Sequence, residues 1–236
     1  MLYGRCARAM TPTADALLGE VTASLDRIQQ SLLARLGAED VSQTARVPFN
    51  VLMCREVLSR RLLEISRSAM AALALEQFAT TSILTRAAVE TASVLWFLGD
   101  SVESAVRSES SEQLAARVKR LVHGSRTTPE APLAINVLNC VDAVDKKLEG
   151  VRQAYDMLSE LAHPNWAGSL HLYGRPNLEA RECVFGPSAD AAELRLRNAA
   201  LLSGTCLLAE SSRQMIADQI SALVALCERE VRASAS

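Results

Sequence analysis

A tyrosine, a serine and a histidine follow one another at intervals of four residues in the segment 155–168, which reads YDMLSELAHPNWAG. Histidine titrates near neutral pH and can act as a general acid or base, while tyrosine and serine hydroxyls can orient an anion. On a helix with about 100° per residue, Arg152, Ser159 and His163 fall within about 80° of Tyr155. The spacing therefore predicts a polar row at the edge of a core-facing stripe, where a pocket would form.

A charged pair, Arg86 and Glu90, interrupts a segment that otherwise carries no charged residue between positions 77 and 99. A helix that is apolar on every side is expected in the middle of a bundle. Because burying an unpaired guanidinium or carboxylate is costly, these two side chains must pair with each other, with a neighbouring helix or with a ligand. A buried bridge that fixes helix register is one interpretation, and a site shared with the polar row is the other.

The segment 155–168 also carries a motif, Y-D-x-L-S-E-x-x-H-P-N-W-x-G, preceded at a distance by the R-x-x-x-E of Arg86 and Glu90. Together they resemble a group of uncharacterised bacterial helical proteins that is distantly similar to the HEPN (higher eukaryotes and prokaryotes nucleotide-binding) superfamily. The resemblance spans roughly residues 51–168. The motif positions are filled by Tyr155, Asp156, Leu158, Ser159, Glu160, His163, Pro164, Asn165, Trp166 and Gly168.

The resemblance implies a cytoplasmic helical bundle, often dimeric, and in active HEPN members a metal-independent ribonuclease of toxin or antiphage systems. The defining HEPN pattern is R-x4-6-H near the start of a late helix, and this sequence departs from it. Arg152 lies too far before His163 to fill the pattern. Arg117 and His123 have the spacing, but no polar residue follows the arginine directly.

Three functions fit these residues. For RNA cleavage, we expect His163 to act as general acid or base, Arg86 or Arg152 to contact the scissile phosphate, and Glu90 to hold the arginine. A binding module would hold a nucleotide or RNA at the same local site without turnover. The candidate catalytic residues are His163, Arg86, Tyr155 and Ser159, and the candidate ligand-binding residues are Glu90, Arg152, Glu160, Asn165 and Trp166.

The third function is a structural or partner-binding homodimer that catalyses nothing. An apolar stripe near the end of the chain could form its dimer face, or could equally be plain core. The stripe consists of Ile216, Ile220, Leu223, Cys227 and Val231.

Metal and cofactor chemistry is not predicted. The three histidines are His123, His163 and His171, with no H-E-x-x-H motif, and the six cysteines include no C-x-x-C pair. Reduced thiols in a cytoplasmic protein are the expectation for such cysteines.

The composition predicts a globular chain whose core is aliphatic. Hydrophobic residues make up 49% of the 236 residues and aromatic residues only 4%. The net charge of -2 and the pI near 6.0 argue against a protein that coats nucleic acid or an anionic membrane, so any phosphate site must be local. We expect neither a signal peptide nor a membrane span.

The elements that must position these residues form a predicted all-α, up-and-down bundle of five to seven helices in one domain, 1–236. Its predicted parts are an N-terminal helix and linker (1–48), core helices (49–163), an irregular or β-hairpin insertion (164–187) and C-terminal helices (188–236). The predicted helices span residues 12–36, 50–70, 75–98, 101–122, 135–162 and 190–231. Gly99 is expected to end the third, residues 175–177 to form the hairpin turn, and residues 211–212 are a candidate break in the last.

Overall fold

The structure is a computed structural model that describes residues 12–235 of the chain. It confirms the prediction of an all-α bundle with a small hairpin insertion. In these residues the helices are α1 Ala14–Gln30, α2 Ala38–Val41, α3 Val47–Ala74, α4 Phe78–Ser108, α5 Glu112–His123, α6 Val137–Asp145, α7 Val151–Ala162, α8 His171–Tyr173 and α9 Ala191–Ala235. A π-helical turn, Trp166–Leu170, precedes α8, and β1 Gly174–Asn177 pairs with β2 Glu182–Phe185.

Helix α4 lies in the middle of the bundle, in agreement with its almost uncharged sequence. It packs against α3, α5, α6, α7 and α9. Small and aliphatic residues such as Ala88, Ala92, Leu95 and Leu98 are fully buried along it. The two charged residues of its first half, Arg86 and Glu90, are therefore held among neighbouring helices.

Gly99 does not end this helix, so the predicted boundary between a third and a fourth helix at that position is wrong. A Cβ atom at Gly99 would lie 2.9 Å from Met215 Sδ and 3.4 Å from the carbonyl oxygen of Ser212, both on α9. Glycine at this position thus permits the close approach of α9 to α4. The helix ends instead at Ser108, and Glu109, which follows it, has a left-handed φ of 52°.

The predicted fifth helix is divided into α6 and α7. Gly150, with φ of 97°, lies directly before α7, and the Asp145 carboxylate accepts hydrogen bonds from the backbone N–H groups of Gly150 and Arg152, both at 3.0 Å. Leu148, an apolar residue four after Val144 and three before Val151, is exposed although this spacing is typical of a core-facing stripe. The sequence did not reveal this turn, because the other apolar residues on either side of it keep the spacing of three and four that is typical of one continuous helix.

The first two predicted helices differ from the structure at their ends. Thr13 caps α1, which stops at Gln30 and not near residue 36, while the capping prediction for Thr11 lies outside the described residues. The linker contains the short α2, and α3 begins at Val47, just before Pro48, which is compatible with a first helical turn.

Helix α9 is continuous over 45 residues, so the candidate break near residues 211–212 is absent. Ser212 is buried and its hydroxyl donates to the carbonyl oxygen of Leu208, which satisfies it within the helix. Most of the stripe considered as a dimer face packs inside the chain: Ile216, Leu223 and Cys227 are buried, and Ile220 packs against them, whereas Val231 is exposed.

The insertion contains the predicted hairpin, but its turn lies further along the chain than the predicted residues 175–177. Arg175 pairs with Val184, and residues 178–181 form the turn. The side-chain oxygen of Asn177 accepts from the N–H groups of Glu179 and Ala180, a local interaction that favours a turn. Residues 169–173, which come before the predicted turn, are helical and do not form a strand of the hairpin.

Candidate functional site

Arg86, Glu90 and Tyr155 meet where α4 packs against α7. Arg86 donates from Nε and Nη2 to the Tyr155 hydroxyl at 3.1 and 2.9 Å, and that hydroxyl donates to Glu90 Oε1 at 2.9 Å. Arg86 Nε also lies 3.4 Å from Glu90 Oε1. The phenol thus bridges a guanidinium and a carboxylate. The charged pair and the tyrosine of the polar row therefore come together, as expected for a shared site.

The ring of Tyr155 is buried in the core, whereas the charged side chains around its hydroxyl are partly exposed to solvent. Tyr155 is only 4% exposed and packs with Val89, Val141 and Leu158. The side chains of Arg86 and Glu90 remain 30% and 26% exposed. The site is therefore a half-buried ion pair at the rim of an apolar cluster, open to solvent on one side.

Ser159 and His163 do not join this group. The Ser159 hydroxyl donates to the Tyr155 carbonyl oxygen at 2.9 Å, a bond within α7. His163 ends α7 with an extended backbone and is exposed, and no hydrogen bond or ion pair of its imidazole is formed within residues 12–235. The expectation that His163 lines the edge of the core is wrong, because Pro164 turns the chain away at that point.

The side chain of Arg152 links α6 and α7 through two carboxylates. It donates to Asp142 at 2.6 Å and to both oxygens of Asp156, at 3.0 and 3.1 Å. These hydrogen bonds, that to Asp142 first, raise the pKa of Arg152. With two carboxylates around it, Arg152 is less suited to a phosphate than Arg86.

The second half of the motif, residues 163–168, builds a tight turn. Asn165 donates from Nδ2 to Glu160 at 2.7 Å and accepts from the N–H of Gly168 at 3.0 Å. A Cβ atom on Gly168 would lie 2.0 Å from the carbonyl oxygen of His163, so only glycine fits. Glu160 and Asn165 therefore have a structural role here, and Trp166, 66% exposed, stacks on His171 with ring centroids 5.1 Å apart.

Sequence reasoning missed a buried charged cluster between α1, α3 and α9. Glu56 and Arg213 are 7% and 8% exposed, with Arg213 Nη1 3.6 Å from Glu56 Oε1. Arg213 also donates to Ser59 and to the hydroxyl of Ser31, and Glu56 accepts from Arg55 at 2.9 and 3.0 Å. Burial lowers the pKa of Arg213.

A signal for this cluster exists in the periodicity. Glu56 occupies the buried face of α3 between Leu52 and Ser59, and Arg213 lies four residues after Ala209 and three before Ile216 on the buried face of α9. Charged residues at core positions need partners. Glu56 and Arg213 can therefore be recognised in the sequence as charged residues on apolar helix faces.

Three buried cysteines are not placed for nucleophilic chemistry. Burial raises the pKa of Cys54 and of Cys140 to about 11, and that of Cys206 to about 12. The thiols are therefore protonated at neutral pH, and the thiolate is the nucleophilic form. Within the described part of the chain no group of three or more histidine, cysteine or acidic side chains could hold a metal ion, and no helix could span a membrane.

Comparisons with models of protein families, with curated proteins and with solved structures gave no match. The resemblance carried by residues 155–168 therefore stays a prediction. What the chain can do is argued from its own geometry.

Proposed function

We propose that this protein binds a phosphate-bearing ligand, a nucleotide or an RNA segment, at Arg86. One observation carries the proposal: the Tyr155 hydroxyl bridges Arg86 and Glu90 at the rim of a buried cluster. A guanidinium held in this way is preorganised, so it loses little side-chain entropy when a phosphate binds.

The chemistry of the bridge supports this role. Arg86 uses Nε and Nη2 for Tyr155, and its Nη1 forms no hydrogen bond with any of the residues 12–235. Nη1 is then the donor for a phosphate oxygen. Glu90 lowers the net charge of the site, which favours weak and reversible binding over tight capture of an anion.

Binding is better supported than turnover. Ser159 donates within its own helix, and His163 is exposed at the end of α7 without a contact to Arg86. The HEPN-like ribonuclease reading needs both a proton-transfer group and a phosphate contact at one place. Incubating wild type and His163→Ala with mixed RNA in chelator tests it: cleavage by wild type alone would establish turnover, and equal results would exclude His163.

Thermal-shift measurements test the binding proposal. AMP, ATP and a mixed-sequence RNA oligonucleotide are titrated into wild type and Arg86→Ala, because a ligand that binds the folded state raises Tm with its concentration. Arg67→Ala is the matched control, since Arg67 is an exposed arginine on α3 whose nearest carboxylate, Asp26, lies 3.9 Å away.

We expect at least one probe to raise the Tm of wild type and of Arg67→Ala by the same amount, and to raise that of Arg86→Ala less. Circular dichroism establishes that each variant keeps its helical content. Equal shifts in Arg86→Ala and wild type, or no shift with any probe, would contradict the proposal.

A second candidate, a partner-binding homodimer, is favoured by the insertion. An isolated two-stranded hairpin is marginally stable in water, and this one exposes Leu178, Val184 and Phe185, the last at 78%. A second copy of the chain would cover these side chains. Light scattering after gel filtration should then show a dimer for wild type and for Leu133→Ser, an exposed apolar control elsewhere, and a monomer for Phe185→Ser.

A further inference from the structure

A pocket of about 410 Å³ lies between the C-terminal part of α4 and the start of α5. Two arginines, four serines and a glutamine supply its polar lining, and none of the residues that line it is acidic. The side chains with N–H or O–H donors include Ser101, Ser104, Arg107, Ser108, Ser110 and Arg117. The pocket therefore combines two positive charges with several hydroxyl groups, of which those of Ser101 and Ser108 donate to backbone carbonyl oxygens of α4.

Arg117 is held in place without a carboxylate. Its Nη1 donates to the Ser101 hydroxyl at 2.9 Å, and its guanidinium carbon lies 5.2 Å from the centroid of the Phe97 ring. Ser101 in turn donates to the carbonyl oxygen of Phe97 at 2.7 Å, which fixes the hydroxyl as an acceptor for the arginine. The guanidinium is thus oriented by neutral groups and not by a carboxylate of the described residues.

Arg107 supplies the second charge from the last turn of α4. Its Nη2 lies 3.4 Å from the Ser104 hydroxyl, a long contact, and the residue is exposed. Like Arg117, it forms no ion pair with any acidic side chain of residues 12–235. Its remaining donors can turn toward an anion in the pocket.

Nearby acidic residues do not neutralise these arginines. Glu109 and Glu112 are exposed and lie outside the lining. Glu230 accepts from the backbone N–H and the hydroxyl of Ser111, so it occupies the N-terminus of α5. The attraction for an anion therefore comes from the arginine and serine side chains and not from the end of the helix.

The larger groove around Arg213 shows the contrast. Arg27 and Glu210 form a two-point ion pair there at 2.7 and 2.8 Å, and Glu103 and Asp218 add further negative charge to the lining. Its arginines face carboxylates, so an anion gains little. The smaller pocket lacks such carboxylates.

We propose that the pocket between α4 and α5 binds a phosphate group through Arg107 and Arg117, with the hydroxyls of Ser104 and Ser110 donating to the remaining oxygens. Two guanidinium forks and nearby hydroxyls match the several acceptor oxygens of a phosphate. Arg107 follows Arg86 by 21 residues on the same helix, which places them roughly 30 Å apart. This site is therefore separate from the proposed site at Arg86.

Isothermal titration tests the proposal with two probes, inorganic phosphate and AMP, at constant ionic strength. The variants are Arg107→Gln, Arg117→Gln and the control Arg67→Gln, at an exposed arginine outside both proposed sites. Arg107 is exposed, so its variant remains informative if Arg117→Gln, which loses the contact with Phe97, does not fold. We expect saturable binding of at least one probe to wild type and Arg67→Gln, weakened about tenfold or more in Arg107→Gln.

The probe that binds more tightly identifies the source of the phosphate, free phosphate or a nucleotide. Absence of saturable binding by both probes would overturn the proposal, and so would equal affinities in wild type and Arg107→Gln. Binding that is lost in Arg86→Ala but unchanged in Arg107→Gln would locate the ligand at the first site alone, and the opposite result would locate it here, so failure of one proposal is distinguishable from failure of the other.

Discussion

The Tyr155 hydroxyl donates to Glu90 Oε1 at 2.9 Å across the contact between α7 and α4. The Tyr155 hydroxyl oxygen accepts hydrogen bonds from two N–H groups of Arg86. One phenol therefore fixes a charged pair that would otherwise be a mobile contact between side chains four residues apart on one helix. This relationship joins the two sequence features that carried the functional prediction.

Replacing Tyr155 by phenylalanine should lower the free energy of unfolding by about 1 kcal/mol. The ring would still pack in its cluster, and Arg86 and Glu90 would keep their direct contact, so only the bridging hydrogen bonds are lost. Urea unfolding monitored by circular dichroism measures the change. Tyr173→Phe, at an exposed tyrosine, is the control and should be neutral; equal effects of the two substitutions would count against the bridge.

Glu56→Gln should destabilise the fold by about 3–5 kcal/mol, because it leaves the guanidiniums of Arg55 and Arg213 buried without their carboxylate. Arg213→Met should cost less, about 1–3 kcal/mol, since Glu56 keeps Arg55 and the N–H of Leu33 as donors. Denaturant unfolding gives both values.

Glu64→Gln, at an exposed acidic residue of α3, controls for the loss of one negative charge and should change stability little. The reverse order, with Arg213→Met more damaging than Glu56→Gln, would show that the hydrogen bonds of Arg213 to Ser31 and Ser59 outweigh the charge balance.

The ion pair between Arg27 and Glu210 should make stability depend on pH. The hydrogen bond from Arg27 holds the pKa of Glu210 below its ordinary value. A carboxyl group whose pKa is lower in the folded state stabilises above its unfolded pKa, and this stabilisation is lost as the pH falls through the folded pKa. Wild type should therefore exceed Arg27→Gln in stability at neutral pH, with the difference vanishing in acid.

Urea unfolding of both proteins between about pH 7 and pH 3 measures this difference. Arg67→Gln provides the comparison, because Arg67 lies 3.9 Å from its nearest carboxylate. A constant difference between wild type and Arg27→Gln over the whole range would mean that the ion pair does not carry the effect.

Gly168→Ala should destabilise by about 1–3 kcal/mol, because its Cβ would meet backbone atoms that cannot move independently. The nearest are the carbonyl oxygens of His163 and Leu161, at 2.0 and 2.6 Å. Gly204→Ala is the opposite case: nothing lies within 4 Å of its Cβ in the middle of α9, so it should stabilise by about 0.5–1 kcal/mol. Thermal melting of both variants gives the sign of each change.

Periodicity predicted where helices lie better than where they end. Gly99 is a strong stop signal in a sequence, yet here it faces Met215 of α9, and a glycine in a helix contact cannot be told from a terminal glycine without the neighbouring helix. Gly150 does mark a boundary, but the apolar spacing continues across it. Tertiary packing decided both cases.

The candidate site could be predicted only in part, because charged core residues are easy to recognise in some segments and not in others. Arg86 and Glu90 stand out because they interrupt an apolar helix, and Tyr155 lies on an apolar stripe. The sequence therefore predicts that all three side chains lie at the core. Glu56 and Arg213 lie in segments with many other charged residues, which hid their core positions. The exposed position of His163 depends on the path of the chain after Pro164, which spacing on a helix does not describe.

Helix α9 affects when the bundle can fold during synthesis. It extends over roughly 67 Å and contributes side chains to all four apolar clusters, including Leu194, Leu201, Cys206 and Leu223. During synthesis the preceding helices leave the ribosome before α9, with the surfaces that it will cover still facing water. We expect these partly made chains to be the species that chaperones engage, and the bundle to close only after translation of its last helix.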